Sequence, residues 1–147
     1  MRALLGALVG YIATGAVVVV SLSAAYLALG ADRAFEPESW APSLLWVGLM
    51  LFLGAVAALL GGRVSRKIGG EKSPLVLAGV VLVLGGLSAA ANVVREPPAD
   101  RPATRVEDVG GSEAMVYADQ PLWFAIANPL VAVVGVLLGG RDRRQRA

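Results

Sequence analysis

Hydrophobic residues fall in four long blocks, 3–29, 42–60, 74–94 and 121–138, and none of these contains Asp, Glu, Lys, Arg or His. The blocks hold 27, 19, 21 and 18 residues. A bilayer core of about 30 Å needs roughly 20 helical residues, so each block is long enough to cross it. Helices buried in a soluble protein would carry a polar stripe at 3.6-residue spacing, and these blocks show none. The pattern predicts an all-α integral membrane protein, a four-transmembrane-helix bundle forming one domain. Its first span covers 3–29, the second 42–60, the third 74–94 and the fourth 121–138. Residues 30–41, 61–73 and 95–120 connect them, and 139–147 form a basic tail. The first block far exceeds the 7–15 apolar residues of a signal-peptide core, so it is read as a retained helix.

Composition agrees with this. Hydrophobic residues make up 56 % of the chain and charged residues 16 %, against about a quarter charged in soluble proteins. The 18 glycines also suit membrane helices, where glycine is frequent.

Charge orients the spans. Arg2, Arg63, Arg66, Lys67, Lys72, Arg141, Arg143, Arg144 and Arg146 lie on one side with only Glu71 and Asp142, a formal sum of +7. The other side sums to −5, and the two give the chain's net +2. Basic residues in short flanking loops stay cytoplasmic, which places both termini and the 61–73 loop inside and the 30–41 and 95–120 loops outside. The expected location is a bacterial inner membrane. Arg63, Arg66, Lys67, Arg141, Arg143 and Arg144 read as anchors to anionic headgroups rather than as a nucleic-acid surface. Trp40, Trp46 and Trp123, near the outer ends of the second and fourth spans, read as interfacial anchors.

Local signals mark the helix ends. Ser73-Pro74 and Asp119-Gln120-Pro121 read as starts of the third and fourth spans, and Gly61-Gly62 and Gly139-Gly140 as ends of the second and fourth. Ser112 is expected to cap a short helix over 112–118, after the Pro-rich, extended run from Glu96 to Pro102. Leu59-Leu60-Gly61-Gly62-Arg63 recurs as Leu137-Leu138-Gly139-Gly140-Arg141. That match suggests two duplicated helical hairpins related by an axis along the membrane normal.

Small residues form stripes within the spans, with Gly6 and Gly10 in the first, Gly54 in the second, Gly86 in the third, and Gly135 and Gly139 in the fourth. Such stripes let helix backbones approach closely in lipid. Asn128-Pro129 predicts a kink with a freed carbonyl. Asn128, Ser88 and Ser21 lie at similar depth and are expected to converge, with Asn92 nearer the surface at the mouth of the cluster.

The chemistry is sparse. The chain has no cysteine and no histidine, which removes thiolate nucleophiles, disulfides and the commonest metal ligand. The spans hold no carboxylate, so nothing supplies the ionisable relay of a proton-driven pump. Glu107, Asp108, Glu113 and Asp119 match no calcium-loop spacing. The intramembrane glutamate of small multidrug exporters and the Trp-Gly-Leu-Trp-Cys-Cys pattern of claudins have no counterpart. The expectation is therefore a non-enzyme with no cofactor and no metal. Its partners are the lipid bilayer and another membrane protein or further copies of itself. Its role is that of an accessory subunit or assembly factor. The alternative is a passive channel or carrier whose polar solute binds at the Asn128-Pro129 kink.

Overall fold

The computed structural model describes residues 1–105 and 109–141. Its elements are α1 (Arg2–Leu29), α2 (Ala31–Ala34), α3 (Leu44–Gly69), α4 (Ser73–Val94), α5 (Gly111–Tyr117) and α6 (Leu122–Gly139). Among the described residues there is no strand, only an isolated bridge between Phe35 and Pro42. The four long helices, α1, α3, α4 and α6, are each long and apolar enough to cross a membrane. The chain is thus all-helical, and most of each long helix is left exposed for a lipid environment.

Two helix boundaries differ from the sequence reading. Gly61-Gly62 does not end α3, which runs on to Gly69 and stops at Gly70, where φ is +82°. Glycine costs a helix interior only about 1 kcal/mol relative to alanine. Here that cost is offset because both glycines sit where another helix touches the backbone. Gly61 lies against Thr14 and the Gly10 carbonyl, and Gly62 lies against Val136. Positive φ, which glycine adopts without penalty, ends the helix instead. At the other boundary Ser73 is the first residue of α4 rather than its cap, and no side chain caps that helix. Its hydroxyl is used between helices, as described below. Likewise α5 starts at Gly111 behind Gly110 with no side-chain cap, so Ser112 does not cap it. No side chain caps α6 behind Pro121 either. The one serine that does cap a long helix is Ser43, whose Oγ accepts from Trp46 N at 3.2 Å.

Contact pairs give the helix directions. Gly6 meets Gly69, Gly10 meets Ser65, and Tyr26 meets Trp46, so α1 and α3 are antiparallel. Gly54 meets Asn128, Gly135 meets Ala58 and Gly62 meets Val136, so α3 and α6 run parallel. Gly140 meets Pro74 and Gly85 meets Pro129, making α4 antiparallel to α6. Gly10 also reaches Leu77, and Ser73 reaches Ala3, which sets α4 parallel to α1. A core of Ala7, Ala58, Leu77, Ala78 and Val136 lies where the four meet.

The two copies of the repeated pentapeptide lie side by side at the α3–α6 crossing. A Cβ on Gly139 would meet the Leu59 backbone, and one on Gly62 would meet the Val136 backbone. The copies are otherwise unlike, since Gly61-Gly62 is interior to α3 while Gly140 is the C-cap of α6.

Near Arg2, where α1, α3 and α4 come together, lies a buried polar seam. Ser73 Oγ donates to the Ala3 carbonyl at 2.9 Å and lies 2.8 Å from Ser65 Oγ, and both serines are fully buried. Ser73 has a single proton and gives it to Ala3, so Ser65 is the donor to Ser73. This order makes a prediction. Ser73→Ala strands the Ser65 hydroxyl and costs about 1–3 kcal/mol, whereas Ser65→Ala leaves the Ser73–Ala3 bond intact and costs less. A double-mutant cycle followed by denaturation in detergent will show the pair costing less than the sum of the two single changes. Additive losses would break the argument.

Candidate functional site

The polar residues expected to converge inside the spans do not do so. Ser21 Oγ donates back into α1, to the carbonyls of Val17 at 2.7 Å and Val18 at 3.2 Å. A serine in an apolar helix satisfies itself most easily this way, within its own turn. Ser88 is exposed on α4. Asn92 turns toward the chain entering α6, and its Nδ2 lies 3.4 Å from Gln120 Oε1. Asn128 is exposed, and its amide faces Gly54 of α3, where a Cβ would stand 3.5 Å from Asn128 Oδ1. Among the described residues the Asn128 amide makes no side-chain hydrogen bond, and the four residues form no shared cluster. Pro129 stays inside a continuous α6, its ring seated against Gly85 of α4.

The small-residue stripes divide in the same way. Gly6, Gly10, Gly135 and Gly139 each lie where a Cβ would strike a neighbouring helix. Gly54 faces only Asn128 at ordinary contact distance, and Gly86 faces open space. Gly86 is therefore not a packing glycine within this chain, and that role in α4 belongs to Gly85. Sequence alone does not choose between adjacent glycines, because the choice depends on which side of α4 meets Pro129.

The richest polar structure lies at the acidic end, where the 30–43 and 95–121 segments fold over the helix ends. Trp40, expected at a membrane interface, is only 4 % exposed and is the centre of this cap. Its Nε1 donates to the Pro102 carbonyl at 2.9 Å, and its own carbonyl accepts from Asp119 N at 3.0 Å. Its ring meets Tyr117 edge-on at 5.0 Å and Phe35 at 6.0 Å. With its N–H and its ring both engaged by the protein, Trp40 packs the cap together. Trp46 is half-buried against Tyr26, while Trp123 stays on the surface at 53 % exposure. Beneath Trp40, Ala31, Ala34, Phe35 and Ala114 form a second apolar cluster, with Tyr26 and Val109 packed on it. Tyr26 Oη donates to the Val109 carbonyl at 2.8 Å, tying the long segment to α1.

Ion pairs reinforce the cap. Arg105 Nη2 meets Asp32 Oδ1 at 2.8 Å, and its guanidinium stands 5.8 Å from the centre of the Phe35 ring. Arg101 Nη1 pairs with Asp119 at 2.5 Å and donates to the Tyr117 carbonyl at 3.0 Å. Tyr117 Oη donates to Asp100 at 3.2 Å. The Tyr117 phenol is held above the ordinary tyrosine value of 10.0, first by partial desolvation, then by that bond and by the negative charges of Asp100 and Glu113. Arg101, Arg105, Tyr26 and Tyr117 carried no sequence signal, since each acts through partners 16 to 83 positions away.

Two hollows stand out among the described residues. An apolar groove of about 320 Å³ runs between α3 and α6, lined by Ala55, Leu59, Leu130, Val131, Val134, Gly135 and Leu138. A polar cavity of about 130 Å³ opens at the acidic end beside the last turn of α4, lined by Asn92, Arg95, Glu96, Arg101, Tyr117, Asp119 and Gln120, among others. Asn128 lines neither.

At the basic end, Arg66 Nη1 donates to the Gly140 carbonyl at 2.6 Å and its Nη2 lies 3.6 Å from Glu71. Arg2 Nε donates to the Ile68 carbonyl at 3.1 Å. Arg63, Lys67 and Arg141 are exposed around them, while Arg143 and Arg144 lie outside the described residues. Among the described residues no three carboxylates come together as a cation site, and Glu107 and Asp108 lie outside them.

Four apolar helices of spanning length, joined by polar connections, define the class: an all-helical membrane protein. Comparison with protein-family models, with curated proteins and with solved structures finds no match.

Proposed function

We propose that this chain is a non-catalytic accessory subunit or assembly factor of the bacterial inner membrane, packing against another membrane protein or further copies of itself. The observation that carries this reading is Asn128, a carboxamide seven residues into an apolar helix, exposed and without a side-chain hydrogen bond among the described residues. An unmet amide in lipid favours association with a helix that can meet it, at about 0.6–2 kcal/mol per bond. The charge asymmetry supports a four-helix bundle with the basic end, and so both termini, in the cytoplasm.

Gentle purification from native membranes with mass spectrometry tests this directly. A stoichiometric larger assembly is the expected result, and Asn128→Leu should weaken it roughly 3- to 30-fold, the equivalent of one such bond. The isolated chain should fold as before, because Asn128 supports nothing within it. Recovery of the wild type as a bare monomer would exclude the proposal. The second reading, a passive carrier of a polar solute, draws on Asn92 at the wall of the polar cavity. It is less favoured because neither hollow includes Asn128.

A further inference from the structure

The polar cavity at the acidic end sits where α4 gives way to extended chain at Arg95 and where the chain turns into α6 through Gln120. Its walls carry charges of both signs, and these are not all matched internally. Arg101 is already paired with Asp119. Arg95 gives one Nη2–H to the neutral Val116 carbonyl at 3.0 Å and, among the described residues, has no carboxylate within ion-pair distance. Among the described residues its neighbour Glu96 has no cation within that distance either, although the two residues are adjacent in the chain. The cavity therefore presents one open cation and one open anion, with the Asn92–Gln120 amide contact beside them.

A ligand matching that arrangement carries a phosphate and an amine a short distance apart. The phosphate oxygens would accept from the planar Arg95 fork, and the ammonium would face Glu96. The volume of about 130 Å³ has room for roughly four waters at ~30 Å³ each, which suits a headgroup and not a whole lipid. The rim continues into bare apolar surface. Val93 and Val94 on α4, Val116 on α5, and Leu122 and Trp123 on α6 are all exposed. Acyl chains have a path away from the cavity along α4 and α6.

We infer that this cavity is a binding site for a phosphoethanolamine-type headgroup, supplied by a zwitterionic phospholipid of the membrane leaflet at the acidic end. The site is independent of Asn128 and of the accessory-subunit reading.

The test uses the full chain, delipidated in maltoside detergent and titrated by calorimetry with dihexanoyl-phosphatidylethanolamine, dihexanoyl-phosphatidylglycerol and free O-phosphoethanolamine. The ethanolamine lipid should bind saturably and roughly tenfold more tightly than the glycerol lipid, which lacks the amine. Arg95→Gln should weaken it by roughly five- to tenfold, as the loss of a charge-assisted bond at an exposed site warrants. Glu96→Gln should remove the preference for the ethanolamine lipid. Both side chains are exposed, so the thermal midpoint of each variant should match the wild type, separating lost binding from lost folding. Absence of saturable binding, equal binding of the two lipids, or indifference to Arg95→Gln would each overturn the assignment. Free O-phosphoethanolamine binding as tightly as the lipid would overturn the lipid source and assign the site to a soluble ligand.

Discussion

Gly62→Ala and Gly139→Ala should each destabilise the protein by about 1–3 kcal/mol, even though alanine is the better helix former by about 1 kcal/mol. At both positions the atoms in the way are backbone. A Cβ on Gly139 would lie 2.8 Å from the Leu59 carbonyl carbon and 2.9 Å from its Cα, with the carbonyl oxygen nearer still. A Cβ on Gly62 would lie 2.9 Å from both the Val136 carbonyl carbon and its Cα. No rotamer change relieves such a contact, so α3 and α6 must move apart. Helices in lipid have little hydrophobic drive to hold them together once close packing is lost. The two changes act on one crossing, so the double variant should fall short of the sum. Gly86→Ala is the control. Nothing stands within 4 Å of its Cβ position, and the substitution should be neutral or slightly stabilising. Detergent unfolding of the three variants decides the matter. Equal behaviour of Gly62 and Gly86 would show that α3 and α6 do not cross at Gly62.

Trp40→Ala should dissolve the cap while leaving the long helices folded. Removing a buried Trp costs about 3–5 kcal/mol in a well-packed site. Here the loss also strips an aromatic partner from both Phe35 and Tyr117 and the donor from the Pro102 carbonyl. The segments concerned are short, so the effect is bounded by the cap's own stability and appears as local opening. Hydrogen exchange should show residues 31–43 and 109–120 losing protection while α1, α3 and α6 keep theirs. Trp123→Ala, which removes a ring that is 53 % exposed, should leave both regions unchanged. Equal loss from the two substitutions would mean that Trp40 is an interfacial residue after all.

Particular residues show how far the sequence could be read. Charge-free apolar runs announce helices of spanning length because a bilayer imposes a length and forbids unpaired backbone groups. That signal is local and needs no partner. The stripes of Gly6 and Gly10 and of Gly135 and Gly139 were legible for the same reason, since small residues at helical spacing mark a face. The Ser65–Ser73 contact is not, because with Gly61-Gly62 as a stop signal the 61–73 segment reads as a loop. Asn128, Ser88 and Ser21 lie at similar depth along their helices, but depth alone does not say which way a helix is rotated.

The sequence by itself determined the class of this protein, the number of long apolar helices and the contrast between its basic and acidic connections. Each follows from composition along the chain, through hydropathy and charge that every residue carries wherever it folds. The tertiary structure alone decided that α3 continues through two glycines, that Gly85 rather than Gly86 meets Pro129, and that Trp40 is buried under a folded cap. It also decided that Arg95 and Glu96 line one cavity, with neither in an ion pair among the described residues. These depend on rotation about helix axes and on contacts between residues far apart in the chain, such as Tyr26 with Val109 and Trp40 with Pro102. Helical periodicity fixes the faces of one element, and only packing chooses which face meets which.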